Sequence, residues 1–262
     1  MGLFGKIFEK KECAICGGEI GLLGNRKLED GNMCKNCAAK LSPWFSERRS
    51  STVEEIKEQL DYREANREKV AAFRTTRTLG ECTKILLDED AGVFMVTSAR
   101  DLEEANPDVL AFSDVTGCNL DIDERKIELK REIKKSDGTT EEVSYNPPRY
   151  NYEYDFYMVI HVRNPYFDEI RFKLNNSTVE VEPAPHMGMF GGVQPMQDVD
   201  YIRYKETGEE IKAILLQIRQ ETRDVAAAAA APKAAVTCPY CGATTTPDAS
   251  GCCEFCGGAI NG

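Results

Sequence analysis

Four CxxC pairs hold most of the eleven cysteines in this chain. Cys13/Cys16 and Cys34/Cys37 lie near the start, and Cys238/Cys241 and Cys253/Cys256 near the end. Each CxxC presents two sulfurs from one tight turn, and two such turns close a tetrahedron about 2.3 Å from a metal. The spacing predicts two four-cysteine sites, each holding one Zn2+, with a rubredoxin-like iron site as the alternative. Cys252 adjoins Cys253, and only Cys253 keeps the two-residue spacing to Cys256, so Cys252 is read as spare. Four protein ligands leave no open position for water or substrate, which makes such sites structural. Segments this small bury too little apolar surface to fold alone, and metal binding supplies the missing free energy.

Glycine follows Cys16, Cys241 and Cys256, as expected where the chain turns sharply and aims amides at the sulfurs. Ala38 follows Cys37 instead, and a helix is expected there. A knuckle, a hairpin around Asp30-Gly31 and a helix carrying the last ligands make a treble-clef arrangement. Two knuckles at the C-terminus make a zinc ribbon.

Between these ends the periodicity changes twice. Thr52 and Glu55 form a capping box for a helix whose apolar stripe, Val53, Ile56 and Leu60, gives way to Asp61, Arg63, Glu64, Arg67, Glu68 and Lys69. Its second half is expected to be solvated, and the helix to act as a spacer. From about Ala72 to Tyr204 the period is two. Tyr152, Tyr154, Phe156, Met158, Ile160 and Val162 alternate with Glu153, Asp155, Tyr157, Val159 and His161, and Ile127, Leu129 and Ile133 alternate with charged residues. Ser136-Asp137-Gly138 marks a turn, and further strands are read around 83–87, 93–97, 109–115, 170–174 and 179–181. A second capping box, Thr207 and Glu210, opens a helix with Ile211, Ile214, Leu215 and Ile218 on one face. Ala226 to Ala231 extends that helix until Pro232 stops it.

The expected class is α+β. A treble-clef zinc domain spans 1–48, a charged helix 49–73, a seven-stranded barrel with its closing helix 74–225, an alanine-rich linker 226–236 and a zinc ribbon 237–262.

The stretch from Cys13 to Gly31, with Cys34-Lys-Asn-Cys37-Ala and Leu41-Ser-Pro-Trp44-Phe, resembles a bacterial four-cysteine domain of unknown function, frequent in Firmicutes-type bacteria. The resemblance covers about Glu12 to Phe73. A bacterial PH-like domain often follows it. Phe112 to Gly117 and the Ile211 to Ile218 helix are similar to that domain, and Cys238-Pro-Tyr-Cys241-Gly-Ala resembles the ribbons that end many bacterial proteins. The resemblance implies domains but no established activity.

A net charge of -11 disfavours nucleic-acid and anionic-membrane binding. No apolar run reaches the roughly 18 residues of a membrane span, and Met1 to Glu12 lacks a signal-peptide core. Paired CxxC turns without a secretion signal place the chain in the cytoplasm. His161, and His186 with its Met/Gly loop to Met196, read as strand and loop residues, though such a loop has soft ligands for copper(I). Cys82 and Cys118 read as small buried residues. No catalytic constellation is found.

The leading expectation is a non-enzymatic adaptor whose PH-like barrel engages a protein partner, with no small-molecule substrate. One alternative is a nucleic-acid-associated regulator using the N-terminal module, which carries Arg26, Lys27, Lys35 and Lys40. Another is membrane-surface or lipid binding, disfavoured by the acidic turn Asp88-Glu89-Asp90.

Overall fold

The computed structural model describes residues 11–181, 198–230, 235–248 and 250–260. The chain divides into two compact units, 1–219 and 220–262.

The first unit opens with two short hairpins. β1 (Lys11–Glu12) pairs with β2 (Glu19–Ile20), and β3 (Asn25–Lys27) with β4 (Asn32–Cys34). The second hairpin turns at the expected Asp-Gly, where the Leu28 amide donates to the Gly31 carbonyl over 2.9 Å. α1 (Lys35–Ala38) follows at once, starting earlier than Ala38 because the Cys34 side chain caps it. α2 (Val53–Ala72) begins at Thr52 with the predicted capping box.

α2 is not a solvated spacer. Ile56, Gln59, Arg63, Asn66 and Val70 form one buried seam at helical spacing. The seam is polar at its centre, and two of its residues, Arg63 and Asn66, are hydrogen-bonded to partners outside the helix. Arg63 bonds to the Asp108 carboxylate at 2.8 Å and donates to the Lys40 carbonyl at 3.2 Å. Ser42 donates to the other Asp108 oxygen at 2.7 Å. Asn66 donates to Asn106 and to the Pro107 carbonyl, and accepts from the Val109 amide. The helix therefore ties the four-cysteine module to the loop before the sheet. Hydropathy patterning reads only apolar stripes, so it missed this face.

The first sheet runs β5-β6-β7-β8: β5 (Arg77–Leu79), β6 (Lys84–Asp88), β7 (Val93–Thr97) and β8 (Leu110–Ala111), all antiparallel, with the short α3 (Leu102–Ala105) between β7 and β8. In the second sheet β9 (Val115–Lys134) lies along one edge of β10 (Thr140–Val162). β11 (Glu169–Lys173) and β12 (Val179–Val181) share the other edge of β10. The turn between β9 and β10 sits at Asp137-Gly138, as predicted. Among the described strands the two sheets do not close into a barrel.

The first part of α4 (Val199–Ala230) packs on the sheets. Tyr201, Tyr204, Ile211 and Leu215 share one core with Leu87 and Phe94 of the first sheet and Phe156, Met158 and Ile160 of the second. Thr207 lies inside α4, so the predicted capping box does not start this helix. Gly208 explains the close fit: a Cβ there would stand 2.5 Å from Leu120 of β9. The other face of the first sheet packs Leu86 and Met95 with Val70 of α2 and Val109.

β9 carries its apolar residues on two faces. Cys118, Leu120 and Ile122 point into the core. Ile127, Leu129 and Ile133 have odd numbers and so lie on the opposite face. Ile127 is 43% and Ile133 40% exposed. The far halves of β9 and β10 form a ribbon beyond the core.

The second unit contains the hairpin β13 (Val236–Thr237) and β14 (Thr244–Thr245), with an isolated bridge between Cys252 and Ala259. Its apolar core is Cys238, Cys253 and Ile260, with Val236 against them. No helix among the described residues is long and apolar enough to cross a membrane.

Candidate metal centres

Three of the four CxxC turns are built alike. Each first cysteine receives a bond at its carbonyl from the glycine after the second cysteine. Gly17 donates to Cys13 at 2.8 Å, Gly242 to Cys238 at 2.9 Å and Gly257 to Cys253 at 2.8 Å. Each first cysteine also donates its own amide two residues past the second, to Gly18, Ala243 and Gly258. The glycines have φ of 70°, 73° and 69°. Space around them is open, with nothing within 4 Å of a Cβ at Gly242 or Gly257. Glycine is needed for its left-handed backbone, and not because a side chain would obstruct the sulfurs. The fourth turn is helical. Cys34 caps α1 and Cys37 lies within it, so Ala38 needs no positive φ.

The sulfurs of Cys13, Cys16, Cys34 and Cys37 lie within 4.8 Å of one another, as do those of Cys238, Cys241, Cys253 and Cys256. Each group can hold a metal ion. A tetrahedron with 2.3 Å bonds has sulfur–sulfur edges of about 3.8 Å. Observed edges include 3.9 Å for Cys16–Cys34, 3.6 Å for Cys238–Cys256 and 3.7 Å for Cys241–Cys253. The donor set therefore fits a tetrahedral thiophilic ion. Cys252 stays outside the group, its sulfur turned toward the Ser250 carbonyl.

Electrostatics point the same way. Burial raises the Cys13 thiol, but the amides of Cys16, Cys34 and Ile15 outweigh it and bring it down to about 6. The Cys37 amide likewise lowers Cys34. Burial and the neighbouring sulfurs push Cys37 up. In the second group burial opposes, and the amides of Cys241 and Tyr240 outweigh it, taking Cys238 to about 7. Cys256 gains from the Gly258 amide, yet the sulfurs of Cys238, Cys241 and Cys253 drive it up to about 12. Four thiols this close cannot all ionise unless a cation sits among them.

The remaining candidates stand apart from these centres. Cys118 is buried and its thiol is pushed up to about 12 by burial, so it is an inert core residue. Cys82 is half-buried. His161 faces Glu169 at 4.0 Å on an exposed strand face. His186 to Met196 lies outside the described residues. Buried Asp88 caps the β6–β7 turn by accepting the amides of Arg74 and Ala91, which hold its carboxyl below the usual range.

Two features went unread in the sequence. A cleft of about 510 Å³ is lined by Tyr62, Phe73, Val93 and Val109, with Lys69, Arg163, Asp88 and Asp114 among its polar positions. A cationic cluster joins Arg26, Arg48 and Arg49, where burial and the two neighbouring arginines lower Arg48. Neither has a sequence signal, since each draws residues from separated segments.

Residues 11–59 match the model of a family described as a domain of unknown function, DUF4428. The match holds the whole first four-cysteine group and the start of α2. No curated protein and no solved structure matches the chain.

Proposed function

We propose that this is a non-enzymatic, zinc-binding adaptor. Two closed all-thiolate sites brace it, and a PH-like sheet pair with its helix engages a protein partner. The observation that carries the reading is the donor set: four thiolates at each centre fill a tetrahedron and leave no position for catalysis. Zinc suits four-sulfur tetrahedral sites and needs no redox partner, whereas iron is the other metal with this preference. The treble-clef and ribbon readings rest on the knuckle–hairpin–helix order at one end and two knuckles at the other.

The partner surface we favour is the cleft beside α2, where apolar Phe73, Val93 and Val109 are flanked by Lys69 and Arg163 and by Asp88 and Asp114. Such a cleft, apolar at its centre and carrying both signs of charge, suits an apolar side chain of a peptide. Ala72 is exposed at its rim, so Ala72→Arg blocks it without disturbing the core. Affinity capture from lysate of the source organism should retain a protein on the zinc-loaded chain and lose it with Ala72→Arg. Nucleic acid in the eluate, or retention unaffected by the substitution, would contradict this reading.

The Arg26–Arg48–Arg49 cluster favours a second reading, nucleic-acid binding at the N-terminal module. That reading predicts binding to duplex DNA or RNA that weakens steeply with salt and is lost in Arg26→Glu.

A further inference from the structure

β9 pairs with β10 along one edge, and among the described strands its other edge has no partner. From Glu124 to Lys134 every residue except Leu129 is exposed. A two-stranded ribbon without a core is marginal in water, and a long open edge is a template for another strand. No proline interrupts β9, and between Glu124 and Lys134 no extra residue bulges from its side of the ladder.

The side chains specify which strand fits. Glu124, Lys126, Glu128, Lys130, Glu132 and Lys134 alternate in sign along one face. Consider a second copy running antiparallel about a two-fold axis at Leu129. Leu129 then faces its own counterpart, Glu128 faces Lys130, Lys126 faces Glu132 and Glu124 faces Lys134. Every charged pair is opposite in sign, and the two-fold repeats each one. A slip of two residues sets glutamate against glutamate and lysine against lysine. A slip of four restores the signs but shortens the overlap. On the other face Leu129 meets Leu129 with Ile127 of each copy on the diagonal, while Ile127 stands opposite Arg131 and Ile133 opposite Arg125.

Pairing within the chain leaves several of these charges unmet, although Lys130 meets Glu142 and Lys126 lies over the Tyr150 ring. Glu132 lies opposite Glu142 of β10, and Glu142 is 4.0 Å from Lys130. Among the described residues Glu128, Glu132 and Lys134 have no ion pair, and a second copy supplies one to each. We propose that the chain dimerises by antiparallel pairing of the outer edge of β9 with the same edge of a second copy, centred on Leu129.

Sedimentation equilibrium of the zinc-loaded full chain should show a mass of twice 29.3 kDa, dissociating on dilution. Glu132→Lys separates the two kinds of pairing. Within the chain it faces Glu142 and leaves the melting temperature at or above the parent's. Across the axis it faces Lys126, so the dissociation constant should rise about tenfold, from two reversed pairs. Adding Lys126→Glu should return it to the parent value. A monomer at every concentration overturns the proposal, as does a dimer indifferent to Glu132→Lys. Weakening without rescue by the second substitution overturns the register.

Discussion

The two four-cysteine centres share ligands, knuckles and sulfur geometry, but their surroundings differ. The N-terminal centre has an apolar core of its own, with Ile20, Leu28, Met33, Leu41 and Ile56 around Cys13 and Cys37. Arg63, Asp108 and Ser42 then fasten that module to the loop before β8. The C-terminal centre has Ile260 and Val236, and its other buried core members are the ligands Cys238 and Cys253. One centre supplements a small fold, and the other nearly constitutes one. A metal's share of stability is therefore set by how much apolar surface the chain can bury without it.

The largest expected effect follows from removing the metal. A structural zinc contributes on the order of 10 kcal/mol. Chelation should abolish amide-exchange protection throughout 236–260, while residues around Leu28, Met33 and Ile56 keep part of theirs. Equal loss at both ends would break the comparison.

Next is the fastening. Asp108→Ala leaves the Arg63 guanidinium buried without its partner, at a cost of about 3–5 kcal/mol. Denaturant unfolding should show that loss, with the four-cysteine module released first in exchange measurements. A simple loss near ~0.5 kcal/mol, as for an exposed pair, would mean the pair is dispensable.

Ile56→Ala removes the α2 contribution to the N-terminal core and should cost about 2–4 kcal/mol with zinc still bound. Zinc release at unchanged pH would show that core and metal are one cooperative element.

The smallest effect has the opposite sign. Gln59 is fully buried in the α2 seam, and both its amide atoms lack a protein partner. Gln59→Leu should stabilise the chain by about 1 kcal/mol in thermal unfolding. Destabilisation would place a bound water there.

Legibility followed the physics of each signal. The cysteine spacing was readable because ligand geometry is local: two sulfurs per turn, with two turns needed. The Thr52 capping box was readable for the same reason. Period two showed that Ile127, Leu129 and Ile133 belong to a strand, but alternation does not say which face meets a core. Numbering from Cys118 places them outside. The Thr207–Glu210 pattern misled because Tyr201 and Tyr204 continue the apolar face of α4 upstream, at spacings that include Gly208. The polar seam of α2 carries no hydropathy signal, since Arg63 and Asn66 are buried only through partners at Asp108 and Asn106.

The central claim is that each group of four cysteines holds one zinc ion and that Cys252 holds none. Native mass spectrometry with elemental analysis tests it directly. The account predicts two zinc ions per chain, one in Cys253→Ser and two in Cys252→Ser. Iron in the purified chain, fewer than two metals, or loss of one in Cys252→Ser would contradict it.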